Sequence, residues 1–242
     1  MAGRLFLILW LCLAVPVGAG AAEETRQRGI DPAVLTDGFL GAHPDLRWRN
    51  AGIQAYREKD YEMALVYFRR AARYADKPSQ AMIAEMYWEG RGVPQDRPIA
   101  YAWMDIAAER LYPDLVAFRE RYWDALSEAE RAEALERGQE ILAQYGDEVA
   151  KPRLEAVLRR ARREVTGSRL GSVGLLEIIP FTGPLAGTGM TLRGEEYYAP
   201  RYWEPAEYWR MHDEIWRAPR RGTVEIGDLE KVDRGAPPRE DE

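Results

Sequence analysis

Residues 81–108 read AMIAEMYWEGRGVPQDRPIAYAWMDIAA, and this stretch decides the fold. Small and aromatic residues recur at helical spacing on both sides of a turn that is rich in glycine. In that turn, Gly90 and Gly92 permit a positive φ angle. Pro94 stiffens the loop, and Asp96 is a natural N-cap for a following helix. The stretch therefore predicts two antiparallel helices joined by a structured turn.

The same pattern occurs earlier in the chain, so residues 44–110 contain an internal repeat. Four positions match at a spacing of 36 residues: Ala64, Tyr67, Ala71 and Ala72 in the first copy, and Ala100, Trp103, Ala107 and Ala108 in the second. Upstream of each set lies another helical pattern: Ala51, Gly52, Ala55 and Tyr56, then Ile83, Ala84, Tyr87 and Trp88. Small residues allow two helices to approach closely, while the aromatic residues fill the space between hairpins.

The second copy closely resembles a Sel1-like repeat, a branch of the tetratricopeptide-like αα-hairpins. The resemblance rests on a Tyr before Gly-x-Gly-Val, an Asp three residues later, and then the Ala, Trp and paired Ala. Ala84 departs from the pattern, since the family usually has Gly there. The first copy has a short turn, Glu58-Lys59-Asp60, and is more similar to an ordinary tetratricopeptide repeat. The resemblance implies a non-enzymatic adaptor that assembles protein complexes.

A third, degenerate hairpin is expected to close the array, which then spans residues 44–146. Its first helix is indicated by Leu115, Phe118, Tyr122 and Leu126. Its second begins at the capping box Ser127-Glu128-Ala129-Glu130, runs through Leu135, Ile141 and Leu142, and stops at Gly146. A two-repeat solenoid would expose an apolar end face, so an atypical terminal hairpin is expected as a cap.

Residues 147–165 form a basic region in which Pro152 is expected to start a helix, with Leu154 and Leu158 on its apolar side. The arginines of this helix could meet phosphates or anionic lipid. The acidic balance of the chain, with a formal charge of −6, favours pairing with the protein's own carboxylates.

The C-terminal segment, residues 166–231, has a different composition. Its glycines break helices, and residues 173–181 and 223–227 are strand candidates. Residues 232–242 are charged and rich in proline, which predicts a disordered tail. The expected fold class is therefore mainly α: a short αα-hairpin solenoid with an irregular C-terminal segment containing little β-structure.

The N-terminus has the features of a secretory signal peptide. Arg4 is followed by an apolar run over residues 5–15 and by the small residues Ala19-Gly20-Ala21. We expect residues 1–21 to be removed, residues 22–43 to lead into the array, and the protein to be periplasmic or secreted. An uncleaved anchor is the alternative. Beyond this run the sequence offers no apolar stretch of about 20 residues, so no transmembrane segment is expected in the mature chain.

The composition argues against most catalytic and metal sites. The chain has 242 residues with two His and one Cys, too few for zinc fingers, iron–sulfur sites or Cys–His catalysis. It has no nucleophile elbow and no phosphate-binding loop. We therefore expect no enzymatic activity, no cofactor and no metal, and export disfavours nucleic-acid partners. A further hypothesis is a hydrolase whose active site cannot be recognised in the sequence. A pocket that joins carboxylates from separate helices would favour it.

The expected partner is a protein or peptide bound on the concave surface of the first helices of the hairpins. Aligning the two copies places one set of residues beside another: Arg49, Ile53, Tyr56 and Arg57 beside Ala81, Glu85, Trp88 and Glu89. Tyr56 and Trp88 would supply most of the affinity and the charges would orient the ligand. We give equal weight to the alternative that Tyr56 and Trp88 pack between the hairpins instead of binding a ligand.

Aromatic residues are also dense near the C-terminus, and the candidates for a cell-wall or glycan-binding platform are Tyr202, Trp203, Trp209 and Trp216. However, Pro205 has the position of a first helical residue. The residues after it follow the spacing of a core-facing helix: Tyr208, Trp209, His212, Ile215 and Trp216. Packing of this helix against the array is the favoured interpretation.

Overall fold

The computed structural model describes residues 30–165 and 176–218. The helices are α1 (Asp37–Ala42), α2 (Pro44–Arg57), α3 (Tyr61–Ala72), α4 (Lys77–Glu89), α5 (Arg97–Ala107), α6 (Pro113–Ala125), α7 (Glu128–Tyr145), α8 (Asp147–Val165), α9 (Gly194–Tyr197), α10 (Pro200–Trp203) and α11 (Pro205–Arg217). Short 3₁₀ helices span Pro32–Val34 and Ala108–Arg110, and the strands are β1 (Glu177–Ile178) and β2 (Leu192–Arg193). The predicted mainly α fold class is confirmed.

The two predicted hairpins are α2 with α3 and α4 with α5, and their turns have the expected local chemistry. Asp60 caps α3 by accepting from the backbone N–H of Met63, and Asp96 caps α5 in the same way. Gly90 ends α4 in the left-handed region, at φ 69°. Gly52 allows close helix approach, because a Cβ there would lie 2.6 Å from ring atoms of Phe68.

The helices of the expected third hairpin, α6 and α7, each pack against α5, α7 more extensively than α6, but they make little contact with each other, so the expected packed αα-hairpin is not formed. Both hydrogen bonds of the α7 capping box are present between Ser127 and Glu130. Leu115, Tyr122 and Leu126 are buried, whereas Phe118, Leu135 and Leu142 are largely exposed. Among the described residues no further hairpin stacks on these two helices, so apolar positions on their outer side stay uncovered.

Helix α8 covers the basic region, but it begins at Asp147, and the expected start at Pro152 is wrong. The carbonyl of Gly146 accepts from the backbone N–H groups of Val149 and Ala150, so the helix is already formed before the proline. Pro152 lacks the N–H that would bond the carbonyl of Glu148, yet its fixed φ suits a helix. Both residues are exposed, so water can satisfy that carbonyl.

The core has two parts. The first lies between the two hairpins and helices α6 and α7. The second joins the lead segment, α8 and the C-terminal segment, through Val34, Phe39, Leu154, Leu158, Tyr197, Tyr202, Trp203 and Tyr208. His43 lies inside it and stacks on Phe39 with ring centroids 3.9 Å apart. Residues that are remote in sequence thus form one packed unit with the array.

The C-terminal segment contains little β-structure, as expected, but the strand predicted over residues 173–181 is wrong in extent. Strand β1 contains two residues, and it pairs antiparallel with β2, which was not predicted. Pro180 follows closely and has no N–H for a sheet ladder. The first residues of that candidate, the candidate at 223–227, the tail at 232–242 and the signal segment at 1–21 lie outside the described residues. None of the described helices is long and apolar enough to cross a membrane.

Candidate partner-binding site

The first helices of the two hairpins, α2 and α4, form what we call the first-helix face. On it, the hydroxyl of Tyr56 donates a hydrogen bond to the carboxylate of Glu85 at 3.2 Å. The guanidinium of Arg91 donates to the same hydroxyl and lies 3.4 Å from Glu85. The structure thus brings together two residues that sequence reasoning selected, and it adds Arg91, which that reasoning missed. The glycine turn that follows α4 places Arg91 there.

Trp88 lies farther along α4 and is half-buried. Its ring stacks on Tyr122 of α6, with centroids 4.0 Å apart and planes inclined by 15°. The guanidinium of Arg97 lies 4.7 Å from the centroid of the Trp88 ring. Tyr56 in turn contacts Tyr61 edge to face at 5.1 Å. Both rings therefore take part in packing, and each retains partial exposure.

The remaining residues of the predicted groove differ in accessibility. Arg49 turns away to a buried partner, since its guanidinium lies 3.0 Å from Asp76, whose side chain is 2% exposed. Arg57 and Glu89 are exposed. Ile53 and Ala81 are half-buried and pack against the hairpin core. A partner could therefore reach Arg57 and Glu89 directly, but not the charge of Arg49.

Sequence reasoning missed a buried ionic cluster at the start of α4, the opposite end of this helix from Trp88. The ammonium of Lys77, 1% exposed, lies 2.8 Å from Glu109 and 2.9 Å from Asp147. Arg110 donates two hydrogen bonds to Asp147, at 2.6 and 2.9 Å. These residues come from the start of α4, the end of the second repeat and the start of α8. Each looks like an ordinary charge near a helix end, so no local signal could have grouped them.

In this cluster, ion pairing and burial shift the pKa values of the charged groups in opposite directions. Burial alone would raise the pKa of Asp147, but its hydrogen bonds and ion pairs with Arg110 and Lys77 hold that pKa well below its usual range. Burial lowers the pKa of the Lys77 ammonium, and the charge of Asp147 works against that effect. Asp147 is therefore ionised in the folded protein and balances two buried cations.

A second polar group lies where α11 meets the array. Asp45, 2% exposed, accepts a hydrogen bond from the Tyr208 hydroxyl at 2.5 Å. Burial, together with the charge of Asp76, raises the pKa of Asp45 to about 7. Burial lowers the pKa of His212 well below its usual value, so this ring is neutral. One carboxylate oxygen of Asp45 and Nε2 of His212 are buried without a hydrogen-bond partner.

Asp45 and His212 line a crevice between α11 and the ends of the helices, together with Asp76, Lys77, Arg110 and Trp216, and this crevice is too narrow to hold a water molecule. It joins carboxylates from separate elements, which was the stated sign of a hydrolase. However, Asp76 is paired with Arg49, Asp45 is bound by Tyr208, and the rings of Trp209 and Trp216 form part of the wall. The contacts observed there hold α11 against the array.

The four C-terminal aromatic residues do not form a shared exposed surface. Tyr202 and Trp203 are each 4% exposed and lie in the second core. Trp209 is half-buried and donates from Nε1 to Glu155 at 3.0 Å. Trp216 packs against the hairpin core. Helix α11 does begin at Pro205, as the spacing predicted, and its buried side chains are Tyr208, Met211 and His212.

The arginines of α8 pair with carboxylates, as the acidic balance suggested. Arg159 lies 3.1 Å from Glu155 and Arg160 lies 2.9 Å from Glu164. Arg162 pairs with Glu204. Over residues 30–165 and 176–218, no group of three or more His, Cys, Asp or Glu side chains is arranged to hold a metal ion.

Comparison with known protein families matches the Sel1 repeat at residues 50–73 and 77–110. These two segments are Sel1 repeats. The first Sel1 repeat covers most of α2 and α3, and the second runs from α4 to the 3₁₀ helix at Ala108–Arg110. Sel1 repeats are generally protein-interaction modules, so the array is assigned to that broad class.

Among solved structures, the chain is similar to a protective antigen present in uropathogenic Escherichia coli strains, which displays an SLR fold. The identity is 24% and the TM-score is 0.41, over 46% of this chain and 25% of the antigen. The chain thus matches about a quarter of that protein's length. The search of curated proteins gave no match.

Proposed function

We propose that this protein is a non-enzymatic scaffold or adaptor of the bacterial cell envelope. Its Sel1 repeats bind a peptide or a partner protein on the first-helix face, the side expected to be concave in an array of this type. The observation that carries this proposal is the network of Tyr56, Glu85 and Arg91 beside the half-buried ring of Trp88.

The network favours binding because its parts are already ordered. Hydrogen bonds hold Tyr56 and Glu85 together, so a ligand meets them without a large loss of side-chain freedom. The side chains of Glu85 and Arg91 are 44% and 41% exposed, which leaves both able to contact a partner. Aromatic and arginine side chains are also the residues that most often dominate protein interfaces.

The charges on the face suggest the character of the ligand. Arg57 and Arg91 provide cations, and Glu85 and Glu89 provide carboxylates on α4. A polar peptide with charges of both signs would be oriented by this arrangement, and the exposed parts of Tyr56 and Trp88 would contact its apolar groups.

Charge reversal tests the face. A partner is first identified by affinity purification from the periplasmic fraction with mass spectrometry, and its Kd is then measured with purified protein. Arg57→Glu and Glu85→Arg should each weaken binding by about threefold to tenfold while the melting temperature stays close to that of the parent. Glu136→Arg, an exposed reversal on α7, is the control and should bind normally. Unchanged binding by both face variants would show that the partner sits elsewhere.

The cell-envelope part of the proposal rests on the N-terminal sequence. Because the apolar run at residues 5–15 is followed by Ala19-Gly20-Ala21, the expressed protein should begin at or near Ala22 and occur in the soluble periplasm. N-terminal sequencing of the purified protein checks this. A mature protein that retains Met1 would overturn the export argument.

A further inference from the structure

The loop that connects β1 to β2 has an unusual composition. Residues 178–192 contain no Asp, Glu, Lys, Arg or His over 15 consecutive positions, in a chain with 31% charged residues. The function proposed above does not use this loop.

Large apolar side chains project from the loop and its base into solvent. Phe181 is 87% exposed, Ile179 is 61% exposed and Met190 is 58% exposed. Leu176, just before β1, is 46% exposed. Soluble proteins rarely expose several large apolar residues in one short segment unless they contact another surface.

The base of the loop is held in place, so the exposed residues have a defined support. The Thr182 hydroxyl accepts a hydrogen bond from the backbone N–H of Asp37 at 2.8 Å. Gly183, at φ 83°, lies directly against the backbone of Leu35, where a Cβ would come within 2.6 Å of the carbonyl oxygen. Pro180 is buried beside the fully projecting Phe181. The loop is therefore anchored at the residues next to Phe181, whose own side chain projects into solvent.

We propose that this loop inserts into the surface of a lipid bilayer and attaches the protein to it peripherally. The first argument is the distribution of charge. Glu177 and Arg193 lie opposite each other in the β1–β2 pair, and every position between Glu177 and Arg193 in sequence is uncharged. Charges at the two ends of the loop, and none along it, suit a segment whose tip leaves water for an apolar phase, where charged groups are costly; the exposed Asp37 that binds Thr182 then stays on the water side.

The second argument is that the loop satisfies part of its own backbone. The N–H of Ala186 donates to the carbonyl of Gly183 at 3.1 Å, and the N–H of Thr188 donates to the carbonyl of Leu185 at 3.2 Å. The Thr188 hydroxyl donates to that same Leu185 carbonyl at 2.8 Å and accepts from the N–H of Met190 at 3.2 Å. Lipid offers no hydrogen-bond partners, so internal pairing lowers the cost of insertion. A protein partner would make no such demand, because it can supply hydrogen-bond partners itself.

Vesicle flotation tests the proposal with a chain of residues 22–242. The apolar run at 5–15 is removed because it would bind lipid by itself, and residues 22–242 are the mature chain expected after export. The probe is a vesicle of phosphatidylcholine alone. The parent chain should float with the vesicles, and Phe181→Ser should lower the partition coefficient by about tenfold or more. Phe181 is so exposed that this change leaves the fold intact.

Leu135→Ser is the matched control, because Leu135 is 57% exposed but lies on α7 in the array. It should float like the parent. Binding should also persist in about 0.5 M NaCl, since insertion of uncharged side chains is not screened by salt. The proposal would be overturned if the parent chain did not float, or if Phe181→Ser floated equally well. It would also be overturned if the chain bound only anionic vesicles and salt abolished that binding, since the binding would then belong to the arginines of α8. Light scattering tests a fourth contradicting outcome: the parent chain is a dimer, Phe181→Ser is a monomer, and neither binds vesicles.

Discussion

Asp147→Asn should lower the free energy of unfolding by about 3–5 kcal/mol at neutral pH, because it removes the carboxylate that pairs with buried Arg110 and one of the two carboxylates that pair with buried Lys77. The side chains of Lys77 and Arg110 are 1% and 7% exposed, so water cannot take over its role. The variant keeps the size of the side chain, which isolates the loss of charge. Urea denaturation followed by circular dichroism measures the change.

Asp124→Asn provides the control, since Asp124 is an exposed carboxylate on α6 and its change should shift stability by less than about 0.5 kcal/mol. Adding Lys77→Met to Asp147→Asn should restore part of the loss, because it removes a buried ammonium that has lost one of its two carboxylate partners. A loss below about 1 kcal/mol for Asp147→Asn would mean that water compensates the cluster in solution.

Asp45→Asn should change how stability depends on pH. Burial raises the pKa of Asp45 from 3.8 to about 7, so the folded state holds a proton that the unfolded state has released. A raised pKa in the folded state stabilises the protein fully below pH 3.8, and this contribution disappears as pH rises through about 7. At about 1.4 kcal/mol for each pKa unit, the shift corresponds to about 4 kcal/mol.

The measurable quantity is the unfolding free energy of Asp45→Asn minus that of the parent, which should rise by about 4 kcal/mol between about pH 4 and pH 8. The amide oxygen can still accept from Tyr208, and any fixed cost of the amide cancels between the two pH values. Asp76, Arg49, Tyr208 and His212 face this region in both proteins, and the two chains differ only at position 45. A difference that stays constant with pH would show that Asp45 ionises normally in the fold.

The hairpins could be predicted because their determinants lie within a few residues of one another. The caps Asp60, Asp96 and Ser127 act on backbone groups three residues away, and glycine at position 90 meets a local need for positive φ. Such interactions need no knowledge of the rest of the chain. The expected start of α8 was wrong because proline is only preferred, and not required, in the first turn of a helix. The helix starts earlier, where the carbonyl of Gly146 accepts the first helical hydrogen bonds.

Some contacts on the first-helix face could be predicted from the sequence, and others could not. Aligning the two repeats placed Tyr56 beside Glu85, and the two side chains are hydrogen-bonded. The same alignment predicted that Arg49 would contact a ligand, yet its guanidinium pairs with buried Asp76. Arg91 was missed because it belongs to a turn, where the helical period that guided the selection does not apply.

The sequence by itself determined the elements that follow from short-range periodicity and capping: the hairpins, the capping box of α7 and the start of α11 at Pro205. The tertiary structure alone decided which distant residues share an environment. Lys77 and Asp147 are 70 positions apart in sequence, and the Trp203 ring is buried against the lead segment. Nothing local encodes such pairings, because they depend on how the hairpins stack and where α8 and α11 dock. The environment then sets the consequence: two cations hold the pKa of buried Asp147 below its usual range, whereas burial and the charge of Asp76 raise the pKa of Asp45.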